Sequence, residues 1–310
     1  MKVWIRLSLA VVALGALVVV LYWPHKPKPA AAAKPLVAVN DAQVQRIAIT
    51  PAPAPSGQPS PAVVLTRSGS DWQLEQPYAF KADGPTVSSL LDSLGDITGA
   101  TVVGQASAAA KFGLDKPATV ELGLADGKSL AFHFGSDNPS GDHVYLQIGS
   151  GPIEMVDTDV KDNAVKAAFD LQDKTVVNFP TGQVTALDLT DKGKTVHVEK
   201  VKNAWPAAQK SNVQSLLDGL EDAQMNAMAD VTGKAAAADG LAHPAITLKL
   251  TWSGGSSQLD IGNKSGAAEY YARNSSSPAI FTISDYLVTD MNNVVTPPKP
   301  MTVAPSGSVN

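Results

Sequence analysis

Apolar and polar positions alternate with period two along Val44-Gln45-Arg46-Ile47-Ala48-Ile49, which predicts a strand with one buried face. The shorter Val37-Ala38-Val39 reads the same way. Prolines crowd the segment from Pro51 to Pro61, so it predicts a loop. Val63-Val64-Leu65-Thr66 and Asp71-Trp72-Gln73-Leu74 flank the turn signal Arg67-Ser68-Gly69-Ser70 and predict a hairpin. The period then changes. Val87, Leu90, Leu91 and Leu94 stand at i, i+3, i+4 and i+7, a one-sided stripe that predicts a helix lying on a sheet. Asp83 or Gly84 caps it and Pro85 takes its first turn. Four short strands follow over Thr119 to Leu124, Ser129 to Phe134, Val144 to Ile148 and Ile153 to Val156. Asp157 then caps a second helix expected to run to about Phe169.

From Lys174 the pattern starts again. Val176-Val177-Asn178 matches Ala38-Val39-Asn40, and the run from Gln183 to Thr190 matches that from Gln43 to Thr50. Thr195 to Val201 with Trp205 replays the hairpin and its tryptophan. Ser211-Asn212-Val213-Gln214 reads as a capping box, and Val213, Leu216, Leu217 and Leu220 repeat the helical stripe. Ile246 to Trp252, Gln258 to Ile261, Tyr270 to Arg273 and Ile280 to Ile283 mirror the four strands. One motif marks both halves. Phe112-Gly113-Leu114-Asp115-Lys116-Pro117 recurs as Asp239-Gly240-Leu241-Ala242-His243-Pro244, with Gly240 following Gly113 by 127 residues. Gly permits the positive φ that ends a helical turn, and Pro forbids helix before it, so the motif is a corner that sends the chain into a strand. Matches in one order at nearly constant offset imply an internal duplication. The connections suit antiparallel pairing and are too short for parallel crossovers. The expected fold is therefore α+β: two tandem duplicated domains, residues 36–173 and 174–295, each a mostly antiparallel sheet with helices packed on one face.

The N-terminus has a different character. Lys2 and Arg6 precede an apolar run that ends at Tyr22-Trp23, with Val3 to Trp23 long enough to cross about 30 Å of hydrocarbon. A cleaved signal peptide, with Ala30 to Ala33 as its site, competes with an uncleaved transmembrane helix over residues 1–24. The length of the run and its bulky end favour the helix. Pro24 to Pro35 forms a Pro/Ala/Lys linker, assigned here as residues 25–35, and residues 296–310 read as a disordered tail. This order places the chain in a cell inner membrane as a single-pass protein, with its bulk in the periplasm.

Composition narrows the chemistry. A net charge of −5 gives no basic face for nucleic acid. The chain has no cysteine, hence no disulfide framework and no thiolate nucleophile. His25, His133, His143, His197 and His243 show no metal-ligand spacing, and no common nucleotide-binding or hydrolase motif is present. No catalytic residue and no cofactor is expected. Hard oxygen ligands crowd the loop from Ser136 to His143, so Asp137, Asp142 and His143 are candidate metal ligands, although turn residues explain the loop equally well. Trp72 and Trp205 read as core or edge aromatics, with sugar stacking as the alternative.

The series Trp72-Gln73-Leu74, Pro77, Ala82-Asp83, Leu90-Leu91, Phe112-Gly113-Leu114-Asp115-x-Pro117, Gly135, Val144-Tyr145 and Leu171-Gln172-Asp173-Lys174 resembles the bacterial family called domain of unknown function 4340. The resemblance covers about residues 36–295. It implies an N-terminal membrane segment and gene neighbours that encode ABC-type transporters and gliding-motility auxiliary proteins. It implies no catalytic residues. The second copy departs from the pattern: Ala242-His243 replaces Asp115-Lys116, and the Pro77 to Ala82 segment is missing. The expected function is a non-catalytic, membrane-anchored accessory protein of an ABC-type transport system. Its expected partner is a protein of the same membrane, the transporter or its auxiliary protein. An exported cell-envelope hydrolase and a glycan-binding module are the alternatives.

Overall fold

The structure, a computed structural model, describes residues 34–54, 60–98 and 100–296. The transmembrane helix, most of the linker and the tail expected from the sequence lie outside these residues. Among the described residues no helix is long and apolar enough to cross a membrane.

The first repeat is built on nine strands, all paired antiparallel. They are β1 (Val44–Thr50), β2 (Val63–Ser68), β3 (Asp71–Gln76), β4 (Phe80–Lys81), β5 (Thr101–Gly104), β6 (Ala118–Leu124), β7 (Ser129–Asp137), β8 (His143–Ile148) and β9 (Ile153–Asp157), in the order β4-β3-β2-β1-β6-β7-β8-β9-β5. The second repeat has seven, again antiparallel. They are β10 (Val184–Asp191), β11 (Lys194–Glu199), β12 (Ala227–Asp230), β13 (Ile246–Trp252), β14 (Gly255–Lys264), β15 (Glu269–Asn274) and β16 (Ile280–Ser284), in the order β11-β10-β13-β14-β15-β16-β12. Helices α1 (Gly84–Gly95), α2 (Thr158–Ala164) and α3 (Ala168–Leu171) belong to the first repeat, α4 (Lys210–Asp222) and α5 (Asp285–Val295) to the second. The stripes dock as their spacing requires. Val87, Leu90, Leu91 and Leu94 are buried in one core, and Val213, Leu216, Leu217 and Leu220 in the other.

The duplication extends to irregularities. The β1–β6 register shifts between Val44 and Arg46, and the β10–β13 register shifts between Val184 and Ala186, the same place in each repeat. The corner motif is repeated at atomic detail. A 3-10 turn over Ala106–Phe112 ends at Gly113 with φ +71°, and one over Lys234–Ala237 leads to Gly240 with φ +78°. Leu114 N–H donates to the Ala109 carbonyl at 3.1 Å, as Leu241 N–H donates to that of Ala236 at 2.6 Å. Each corner then presses on a glycine of the neighbouring strand. A β-carbon at Gly135 would collide with the Phe112 carbonyl oxygen, and one at Gly262 with that of Asp239.

Local expectations fail where tertiary contacts override them. Val37-Ala38-Val39 is not a strand; it is part of an extended segment, in which Leu36 N–H donates to the Ile97 carbonyl at 2.7 Å. The second helix breaks at Val165–Ala167, and this break lets α3 deliver the chain to the second repeat. Asp157 stands at the N-cap of α2 without a capping bond. The Ser211 capping box does not form, because α4 begins at Lys210 and Ser211 already lies inside its first turn. In the second repeat the hairpin runs from β10 directly into β11, leaving only a Val201–Ala204 bridge before Trp205 where β3 would be. The edge strands β5 and β12 and the helix α5 had no sequence-based expectation.

The glycine contacts carry a prediction. Gly135→Ala and Gly262→Ala each force a backbone shift costing about 1–3 kcal/mol, read as a fall in the urea midpoint. Unchanged midpoints would show that the corners do not press on these strands.

Candidate functional site

The two cores are joined by one covalent crossing, Gln172 to Thr175. This strap is hydrogen-bonded on both sides. Gln172 forms an antiparallel bridge with Ala82 of the first repeat, and Thr175 forms one with Gln224 of the second. Asp83 N–H donates to the Leu171 carbonyl, Asp173 N–H to that of Lys81, and Met225 N–H to that of Lys174, each at 2.8 Å. Gln172 is 0% exposed, which an amide tolerates only with partners. Tyr78 Oη donates to its Oε1 at 2.7 Å, and its Nε2 faces Met225 Sδ at 3.9 Å.

Asp173 is the polar centre of the strap. Its Oδ1 accepts from Thr175 N–H at 3.0 Å and from Thr175 Oγ1 at 2.6 Å, while Lys81 Nζ donates to Oδ2 at 2.9 Å. Burial acts against its charge, but the Thr175 hydroxyl, Lys81 and the Thr175 amide outweigh it and hold the carboxyl below the usual range. Lys81 is raised in turn, first by its hydrogen bond to Asp173. Phe80, beside Lys81, packs against both cores. The strap thus holds Tyr78 to Lys81 by the Tyr78–Gln172 and Lys81–Asp173 bonds and a backbone hydrogen bond, while Phe80 also packs against the core of the second repeat.

Cavities of about 330, 400 and 340 Å³ surround this grip, and Asp173 and Thr175 line all three. The first is acidic, with Asp83, Asp170, Glu221 and Asp222 in its wall. The second has an apolar floor of Phe80, Met225, Ala279 and Phe281 below Asn178, Ser276 and Ser277.

The metal candidates of the sequence do not converge. Asp137 is paired with Lys161 Nζ at 2.8 Å. Asp142 accepts from Ser140 Oγ at 2.6 Å and from Asn138 Nδ2 at 2.9 Å; with His143 beside it, these hold its carboxyl well below the usual range. His143 Nδ1 lies 2.9 Å from Asp142 but at an angle that leaves the nitrogen without a hydrogen bond, and the nearby carboxylate raises its affinity for a proton. Asn138 Oδ1 accepts from Gly141 N–H and His143 N–H, so the loop satisfies itself as a turn. Among the described residues no three histidine or acidic side chains gather as a metal site. Trp72 and Trp205 are buried, with Arg67 at 4.7 Å and Lys200 at 5.1 Å over their rings.

Sequence reasoning missed Tyr78, Phe80 and Gln172 as a unit. The signal was present in the absence of the Pro77 to Ala82 segment from the second copy. That segment carries Phe80, which packs against both cores, and within the described residues no third repeat follows.

The depressed carboxyl of Asp173 contributes above the ordinary aspartate pKa of about 4, and the contribution fades as pH falls through the lower folded value. At pH 7, Asp173→Asn should therefore speed hydrogen exchange at the Asp173 and Met225 amides. Below about pH 4 the wild-type rates should approach those of the variant. Equal protection in both chains at pH 7 would remove Asp173 from the account.

The family model described as a domain of unknown function (DUF4340) matches the chain twice, over residues 72–208 and 201–296. No curated protein and no solved structure matches it. The first match begins at Trp72, crosses the strap and ends beyond Trp205, so the family's unit includes the junction just described. By these matches, which together span residues 72–296, the chain belongs to the DUF4340 family.

Proposed function

We propose that this protein is a non-catalytic accessory subunit of an ABC-type transport system, held in the inner membrane by residues 1–24 and binding a protein partner with its periplasmic repeats. The observation that carries the reading is the grip at the junction. There the strap holds Tyr78 to Lys81 by the Tyr78–Gln172 and Lys81–Asp173 bonds and a backbone hydrogen bond, and Phe80 packs against the second core. A fold that binds its own chain in this way is suited to binding another.

The apolar run from Val3 to Trp23 supports the membrane placement. Confinement to a bilayer raises the effective concentration of a partner in the same bilayer, so a modest exported interface suffices. A duplicated scaffold also offers the same kind of surface twice.

Cross-linking followed by detergent purification of the full-length chain tests the proposal. A transporter permease or its auxiliary protein should co-purify, and should be lost when Met1 to Trp23 is replaced by a cleavable signal. Turnover of a substrate by the purified repeats, with no membrane protein recovered, would refute it. A reporter active only outside the cytoplasm, fused after Ala33, should be active; silence there would reverse the placement.

A further inference from the structure

The duplication lets each repeat be compared with the other at equivalent positions. In the second repeat Phe281 lies on the core face of β16, opposite Ala272 on one side and Met228 on the other. With Phe80 and Lys81 it lines the cavity of about 400 Å³ where the first repeat's segment is held. Moving back 127 residues from Phe281 reaches Glu154. Its strand neighbours are Leu146 and Val102, in the same register.

Among the described residues no preceding repeat covers this end of the first repeat. Val102 is 56% exposed, where Met228 packs against its core. Ala38 is exposed and Val39 half-buried, where their counterparts Val176 and Val177, just past the strap, are buried. Glu154 is 7% exposed and has no hydrogen-bond or ion partner among the described residues. Burial raises its pKa. A carboxylate on a core face without a partner is destabilising, and the equivalent phenylalanine shows that the fold does not require it.

We infer that the Glu154–Val102 face of the first repeat is a docking site for an extended segment of a partner protein, one that presents an apolar side chain next to a lysine or arginine. The apolar side chain covers Val102, as Phe80 packs against the second core. The cation pairs with Glu154, supplying the charge the site lacks. The inference deepens the accessory-subunit reading, and rests on it only for the partner's place in the same membrane.

A peptide of residues Gln76 to Asp83 is the natural probe, since its Phe80 packs against the second core and its Lys81 supplies the cation. It would be titrated against the full-length chain in detergent, with binding followed by fluorescence anisotropy. Glu154→Lys should weaken binding at least tenfold, and a peptide carrying Lys81→Glu should regain affinity for that variant. Glu154→Gln, a milder change, should weaken binding in the same direction. Glu154→Phe should raise the melting temperature and abolish the preference for a basic peptide. Lys128→Ala, in the turn between β6 and β7, should change affinity less than twofold. No binding at millimolar peptide would overturn the site. So would binding lost with Asp173→Asn but indifferent to Glu154, because the peptide would then be displacing the internal segment. Recovery of a membrane partner by the full chain despite such a result would leave the accessory reading standing and end only this assignment.

Discussion

Two closed cores connected by a single covalent crossing can hold a fixed relation only if that crossing is itself fixed. Here the burden falls on Gln172 to Thr175. Gln172 is buried between the repeats, where its amide would be costly without Tyr78, and Asp173 is bound by Thr175 and Lys81 within the same few ångströms. Backbone bridges at Ala82 and Gln224 tie the strap to one repeat on each side. The three cavities around it exist because these bonds hold the repeats at this separation.

What could be read from the chain alone follows the range of the interactions involved. The stripe Val87, Leu90, Leu91, Leu94 and the corner at Gly113 are decided by residues within one or two turns of each other, so period and turn chemistry found them. The Tyr78–Gln172 bond joins positions 94 residues apart, and neither residue has a periodic signature. Edge strands such as β5 are short and take their conformation from the neighbour they pair with, here β9. The capping box at Ser211 misled for a related reason: packing moved the helix start, and the side chains that would have capped it fell inside the first turn.

Divergence between the repeats is as informative as their agreement. The second copy has lost the Pro77 to Ala82 segment, whose Phe80 packs against the following repeat's core. The first copy has Glu154 where the second has Phe281, on the end that no preceding repeat covers. Both departures concern the same kind of contact, one at its donor side and one at its acceptor side. The sheet, the bulge and the corner stay constant because each core needs them; the ends vary because their neighbours do.

On the docking reading, the first repeat's open end receives a partner as the second core receives Phe80. A photo-cross-linking residue at Val102 of the full-length chain, activated in native membranes, tests this most directly, with Lys128 in a distant turn as the control. The account predicts an adduct from Val102 and none from Lys128, on a membrane protein, at a segment with lysine or arginine beside an apolar residue. Adducts at equal yield from both positions, or a Val102 adduct on a segment without a basic residue, would contradict it.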